Sequence, residues 1–294
     1  TPAPDNTPKN YRAAVLLIEE NGQQPSLATL NKMTRLRLAW ESYFAQSTDY
    51  LATINTGIAD ATTSRYVTVT NGASYTRLVT PGTIASVFGQ GLTNATVSAV
   101  GSLPTVLNGI EVKIDGTNAP LFFVSPGQIN FQMTPGLLRG PVLINIGNAN
   151  GLVSTGALTL DTVAPGLFSA NGSGQGVAAA VAFRLRANGT TSFEPVSRFD
   201  QASGQAVAVP IDLGPATDQV FLILYGSGFR AQTSVSCTIG GQPADIIFAG
   251  AQGTLAGLDQ ANVRLPRSLV GRGNVNVAFR VDNQNANTVT INVR

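Results

Sequence analysis

The stretch IEVKIDGTNAPLFFVSPGQINFQMTPGLLRGPVLINI, residues 110–146, decides how the chain is read, because much of its pattern returns between Val235 and Phe279. Ile114, Gly116, Ala119, Leu121, Phe122 and Phe123 answer without a gap to Ile239, Gly241, Ala244, Ile246, Ile247 and Phe248. Gln128-Ile129-Asn130-Phe131 answers to Gln260-Ala261-Asn262-Val263, and Leu138-Arg139-Gly140 to Val270 or Gly271, Arg272 and Gly273. Upstream, Val87-Phe88-Gly89-Gln90-Gly91-Leu92 matches Leu224-Tyr225-Gly226-Ser227-Gly228-Phe229. The chain is a two-fold repeat.

Within the repeat the period is that of strands. Ile110, Val112 and Ile114 alternate with Glu111, Lys113 and Asp115, giving one wet and one buried face. Asp115-Gly116 is a turn signal. Ala119 to Val124 is a continuous apolar run suited to core burial, and Ser125-Pro126-Gly127 breaks it. Ile129, Phe131 and Met133 alternate with Gln128, Asn130 and Gln132; Val142, Ile144 and Ile146 make a fourth strand and Leu152 to Leu160 a fifth. Short strands at this turn spacing predict an antiparallel β-sandwich. The Gly-x-Gly at Gly89 and Gly226 lacks the third glycine and following helix of a dinucleotide fingerprint, so it reads as a tight bend between strands.

A strand, a GxG bend, a GG or DG hairpin and a Q-x-N strand, occurring twice, resemble the IPT/TIG type of immunoglobulin-like domain. Residues from about Asn71 to Val293 resemble, more closely, an uncharacterised C-terminal domain family of secreted acidobacterial proteins. The residues carrying that likeness are Pro81-Gly82-Thr83-Ile84, Phe88-Gly89, Ala119-Pro120-Leu121, Ser125 to Asn130, Ala164-Pro165-Gly166-Leu167-Phe168 and Gly257 to Pro266. The resemblance implies a bacterial protein with an Ig-like core in an extracellular setting and brings no catalytic or ligand residue with it.

The expected fold is mainly β: two tandem Ig-like (IPT/TIG-type) β-sandwiches preceded by an N-terminal helical hairpin. Residues 1–65 form an extended arm and that hairpin, 66–165 the first sandwich, and 166–294 the second with an added β-hairpin over 177–196. TPAPDNTPKN, residues 1–10, has the composition of an extended arm. Asn10 caps a helix from Tyr11 to Glu20 or Asn21, against which the apolar run Ala13 to Ile18 offers a strand. Ser26 caps a second helix to about Ala45, with Leu30, Met33, Leu36, Trp40 and Tyr43 along one stripe. Leu51 to Ser64 is a Thr-rich connection, and Tyr66 to Thr70 opens the first sandwich. Residues between Gly91 and Gly109 that the second unit lacks form a loop. Ala164-Pro165-Gly166 is the hinge, and Asn171 to Gly176 a glycine-rich passage. Val181 to Val196 is a hairpin around Asn188-Gly189, with Val181, Phe183 and Leu185 inward and Arg184 facing Glu194 across it. Residues 197–218 read as irregular, and Thr288 to Val293 as an edge or closing strand.

Charge is sparse: 18 Lys and Arg and 16 Asp and Glu in 294 residues, with only Arg77, Lys113, Arg139, Glu111, Asp115 and Asp161 between Asn71 and Pro165. Such a surface repels its own copies weakly. A net charge of +2 lacks the clustered cations of a nucleic-acid surface. Arg184, Arg186, Arg264, Arg267, Arg272 and Arg280, interspersed with acids, read as solvated strand faces. Histidine is absent, which removes the usual general base and zinc ligand together. Lys9, Lys32 and Lys113 are the only lysines, and none sits to activate a serine; Lys113 points out of its strand. Cys237 is in phase with the apolar positions of its strand and reads as a core residue. Asp282, Asn283, Asn285 and Asn287 offer oxygens but lack the glycine and closing glutamate of a calcium loop, so they read as a turn. The N-x-S/T triplets at Asn94, Asn171 and Asn188 read as Asn-rich turns. No stretch is long or apolar enough for a transmembrane span. Thr1-Pro2-Ala3-Pro4 reads as a processed end whose export sequence has been removed.

No residue is therefore assigned as catalytic, cofactor-binding or metal-binding. The expected function is that of a non-catalytic extracellular protein, secreted or at the cell surface. As a subunit of a fibre, filament or surface layer it would assemble head to tail as a homopolymer, its arm held by a neighbour through strand addition. The alternative is a carbohydrate- or protein-binding C-terminal module of a larger secreted enzyme, which predicts an exposed row of aromatic side chains on one sandwich face.

Overall fold

The structure is a computed structural model and describes residues 65–294. The arm, the helical hairpin with Trp40 on its stripe, and the connection through Ser64 lie outside the described residues. What is described is mainly β, in antiparallel sheets, with a 3-10 turn at Arg267–Leu269. The chain divides into two compact units. The first takes 65–69 with Ser86–Thr134 and Leu138–Leu160; the second takes Thr70–Ala85, Pro135–Leu137 and Asp161–Arg294.

In the first repeat one sheet orders Arg65–Tyr66, Gly151–Leu160, Gly140–Asn148, Ile110–Ile114 and Val106–Leu107. A second orders Thr68–Asn71, Ile84–Phe88, Gln128–Gln132, Leu121–Val124 and Val97–Ser98. Arg65–Tyr66 runs parallel to Gly151–Leu160, and the chain then changes sheets at Val67. Ile110, Val112 and Ile114 are buried and Glu111 and Lys113 are not, as the alternation predicts. Asp115 and Gly116 both have positive φ, 48° and 85°, and their counterparts Gly240 and Gly241 have 58° and 76°. Such turns match the twist of a two-residue hairpin, which is why a DG answers to a GG.

Two expectations change. The apolar run Ala119 to Val124 is not one buried strand: its strand is Leu121–Val124, Thr117–Asn118 before it pairs with Ile110–Ile114, and the pairing with Gln128–Gln132 slips between Leu121 and Phe123. A bulge of this kind puts two residues opposite one and turns side chains outward, so Phe122 and Phe123 are only half-buried. The loop over 91–109 carries two short strands, Val97–Ser98 and Val106–Leu107, one on each sheet.

In the second unit one sheet orders Thr191–Pro195, Ala180–Leu185, Gln219–Ser227, Asp259–Arg264 and Ile246–Ala251, with Gly166–Leu167 also on Gln219–Ser227. The other orders Gln242–Pro243, Val235–Ile239, Gly273–Val281 and Gln284–Asn285, with Val289–Val293 on Gly273–Val281. The span expected to be irregular holds a further hairpin, Ser197–Asp200 with Gln205–Ala208. Leu222, Leu224, Ala261 and Val263 of the first sheet and Ile239, Val277, Phe279 and Ile291 of the second enter one buried cluster. Each of these valine, leucine, isoleucine and phenylalanine side chains contributes about 1.5–3 kcal/mol on burial. Phe229 meets Phe279 edge-on, with centroids 5.2 Å apart. Cys237 belongs to this cluster, and burial pushes its thiol up to about 12.

The Gly226-Ser227-Gly228 bend exists because another backbone lies against it. A Cβ on Gly226 would fall inside contact with the Gly166 carbonyl oxygen, and one on Gly228 inside contact with that of Ala164. Asn71 fastens the 70–85 segment to the same unit: its Nδ2 donates to Ala164 O at 2.7 Å, and its Oδ1 accepts from Ala73 N at 2.7 Å. Ser227 Oγ accepts from Ile84 N at 2.9 Å. Buried Asp259 closes the bend, accepting from Phe229 N and from Arg230 Nε, each at 2.8 Å. Burial raises its carboxyl above the ordinary value, against the pull of Arg230.

Candidate functional site

The surface that stands apart from the core is built on the hairpin Ala180–Leu185 and Thr191–Pro195. Its turn is the one expected at Asn188-Gly189: Gly189 has φ 81°, its N–H donates to Arg186 O, and Asn188 Oδ1 accepts from Thr190 N at 3.0 Å. The faces, however, are the reverse of the sequence expectation. Ala182 and Arg184 are buried, while Val181, Phe183 and Leu185 lie on the outer side. A period of two distinguishes faces without saying which is inward. Here the inward one holds an arginine because its charge is met on every side.

The Arg184 side chain is 7% exposed. It donates from Nε to Glu194 Oε1 at 2.7 Å and from Nη2 to Glu194 Oε2 at 3.0 Å, a bidentate pair. Nη1 reaches Asp218 Oδ2 at 3.4 Å, and Nη2 also donates to Asp212 O. The Glu194 carboxyl is held below its ordinary value chiefly by the hydrogen bond from Arg184, and the guanidinium is raised in turn.

With Arg184 inside, phenylalanines come to the outer face. Phe193 stands opposite Phe183, Phe183 opposite Phe221, and Phe221 opposite Arg264, one register row across four strands. Ring centroids are 5.1 Å apart for Phe183 and Phe193 and 6.3 Å for Phe183 and Phe221, with the rings tilted by 51° and 41°. The Arg264 guanidinium lies 5.6 Å from the Phe221 ring centre, a cation–π contact. Phe193 is 69% exposed. The next row runs Pro195, Val181, Ile223, Asn262 and Phe248, the last exposed. Gln260 Nε2 donates to Asn262 Oδ1 at 2.8 Å, and Gln219 and Thr191 stand exposed at the strand ends. The face is aromatic and aliphatic in the middle and polar at its margin.

The other residues weighed from sequence fall into structural roles. Lys113 pairs with Glu111 on its own strand at 2.7 Å. Asp282 has φ 49° and accepts from Thr233 N at 3.0 Å and Ser234 N at 2.8 Å. Asn287 Nδ2 donates to Leu167 O and Gly174 O, so the group Asp282 to Asn287 is spent on loop contacts. No cluster of three His, Cys, Asp or Glu able to hold a metal occurs among the described residues. No helix among them is long and apolar enough to cross a membrane. The alternation of the Ala180–Leu185 strand by itself places Phe183 in the core, which conceals the aromatic row. Its signal was the in-phase placement of Phe183 and Phe193 about the Asn188-Gly189 turn.

No family model and no curated protein matches the chain. Among solved structures it is similar to SGBP-B of a mixed-linkage glucan utilization locus of Bacteroides ovatus, solved in complex with a mixed-linkage heptasaccharide. Identity is 13% and the TM-score 0.29, over 74% of this chain and 43% of that one. It is also similar to an auxiliary nutrient binding protein from Bacteroides ovatus, at 11% identity and a TM-score of 0.23, over 55% of this chain and 46% of that one. The chain thus spans less than half the length of either.

Proposed function

We propose that this chain is a non-catalytic glycan-binding module of a secreted or cell-surface protein, built on two Ig-like β-sandwiches of the IPT/TIG type. The observation that carries the reading is the row Phe193, Phe183, Phe221 and Arg264 on the outer face of the second unit; the loose structural likenesses do not carry it. A pyranose ring has an apolar C–H face and a rim of hydroxyls. Phenylalanine rings flanked by Arg264, Asn262, Gln260 and Gln219 offer the complement to both. The rings are tilted against one another by 51° and 41°, so the row is not a flat platform. That shape suits a single soluble chain rather than a flat crystalline surface.

Self-assembly through the arm, the first expectation from sequence, concerns residues outside the described ones. What remains of it is the sparse charge, which fits a glycan-binding surface equally. Affinity electrophoresis against a panel of soluble neutral and acidic polysaccharides tests the proposal. Retardation by at least one polymer, lost in Phe193→Ala with an unchanged melting temperature, is expected. Retardation by none, or retention unchanged in Phe193→Ala, contradicts it.

A further inference from the structure

At the Arg264 end of the aromatic row the surface sinks into a cleft of about 310 Å³, lined by Thr217, Asp218, Gln219, Arg264 and Arg267 together with apolar neighbours. Its charges are unevenly partnered. Asp218 is taken by Arg184 at 3.4 Å, and neighbouring Asp212 by Arg294 at 3.3 Å. Arg267 is held rigidly from beneath, donating from Nη1 to Leu213 O at 2.5 Å and from Nη2 to Gly214 O at 2.6 Å. Those carbonyls fix its plane without neutralising it. The exposed Arg264 guanidinium has no hydrogen bond or ion pair among the described residues and lies against the Phe221 ring. Two guanidiniums without carboxylates therefore border one cleft, while the acids beside it each reach a cation, Asp218 sharing Arg184 with Glu194 and Asp212 meeting Arg294.

We infer that this cleft takes the carboxylate of an acidic glycan, so that the polymer stacked on Phe193 and Phe183 is a uronic-acid chain with a carboxylate between Arg264 and Arg267. The inference rests on the glycan reading of the aromatic face and adds its substrate class. Guanidinium is the side chain whose fork matches a carboxylate in two bonds. A pre-positioned Arg267 loses little freedom on binding. The cleft opens at the end of the row, where the next sugar of a chain stacked on Phe193 and Phe183 would lie over Phe221 beside Arg264. From sequence alone Arg264 and Arg267 are solvated strand faces; in the structure they share a cleft.

The test is binding of the full chain to polygalacturonate, alginate and hyaluronate, to fully methyl-esterified polygalacturonate and to a neutral glucan, at low and high salt, for wild type, Arg264→Gln, Arg264→Lys and Phe193→Ala. The expected result is retention of at least one uronan, weakened about tenfold by Arg264→Gln and less by Arg264→Lys. For polygalacturonate, esterification should weaken binding comparably, and Phe193→Ala should abolish uronan binding. Equal binding of neutral and acidic polymers overturns the carboxylate assignment and leaves the aromatic platform standing. Uronan binding indifferent to Arg264→Gln removes the cleft from the account. Uronan binding that survives Phe193→Ala and vanishes in salt reduces to ion exchange and overturns the inference. Retention of no polymer removes both readings together.

Discussion

Gln128 and Asn130 in the first repeat, and Gln260 and Asn262 in the second, make the same side-chain hydrogen bond at 2.7 and 2.8 Å, beside strands whose pairing slips at the same place. Next to those pairs the repeats part. Asn130 accepts from buried Ser86 at 2.9 Å, and Gln132 beyond it is 9% exposed. The corresponding neighbours in the second repeat are Ile223 and the exposed Arg264, and a hairpin whose Thr191–Pro195 strand has no counterpart among the described residues of the first sets Phe183 and Phe193 beside them. The repeats share the bulge and the Gln–Asn pair beside it, and they differ on this outward face. The proposed glycan platform lies on that face.

The largest expected difference between repeats lies in their Gly-x-Gly bends. A Cβ at Gly89 would meet Val67 Cγ1 at 2.8 Å and Leu92 Cδ2 at 2.9 Å, side chains able to shift, whereas one at Gly226 meets a backbone carbonyl. Gly226→Ala should cost about 3 kcal/mol or more and Gly89→Ala about 1–2 kcal/mol in urea unfolding. Equal losses would mean the two bends are held alike.

Arg184→Met should be next, costing about 3 kcal/mol, because it strands Asp218 beside an apolar side chain. A loss under half that would show the arginine to be solvated as the sequence suggested. Acid offers a gentler probe of the same contact. The Glu194 carboxyl is lowered from 4.5 by its hydrogen bond to Arg184, so its contribution is complete above that value and is lost as pH falls through the folded one. Wild type should accordingly lose its advantage over Glu194→Gln in that window, a comparison in which the other carboxylates cancel. The smallest effect concerns Cys237: with its thiol at about 12, it should resist a thiol-specific dye at pH 8 until the chain is unfolded.

Much of the scaffold was legible. Ile110, Val112 and Ile114 alternate in burial as they do in hydropathy, and the Asp115-Gly116 and Asn188-Gly189 turns fall where the residues demand positive φ. Ala119 to Val124 misled because a bulge leaves no mark in an apolar run. Residues 91–109 misled because two-residue strands are too short to show a period. The site was illegible for a deeper reason: the hairpin's faces are assigned by Asp218 and Asp212, distant in sequence from Arg184, and only their meeting sends Phe183 outward.

Hydrogen exchange on the chain with and without a retained polysaccharide tests the central claim most directly. Protection gained across Ala180–Leu185, Thr191–Pro195 and Gln219–Ser227, with none at Gln128–Gln132, is the predicted result. Protection at Gln128–Gln132 instead, or no change in either repeat, would contradict the assignment of function to the second repeat's outer face.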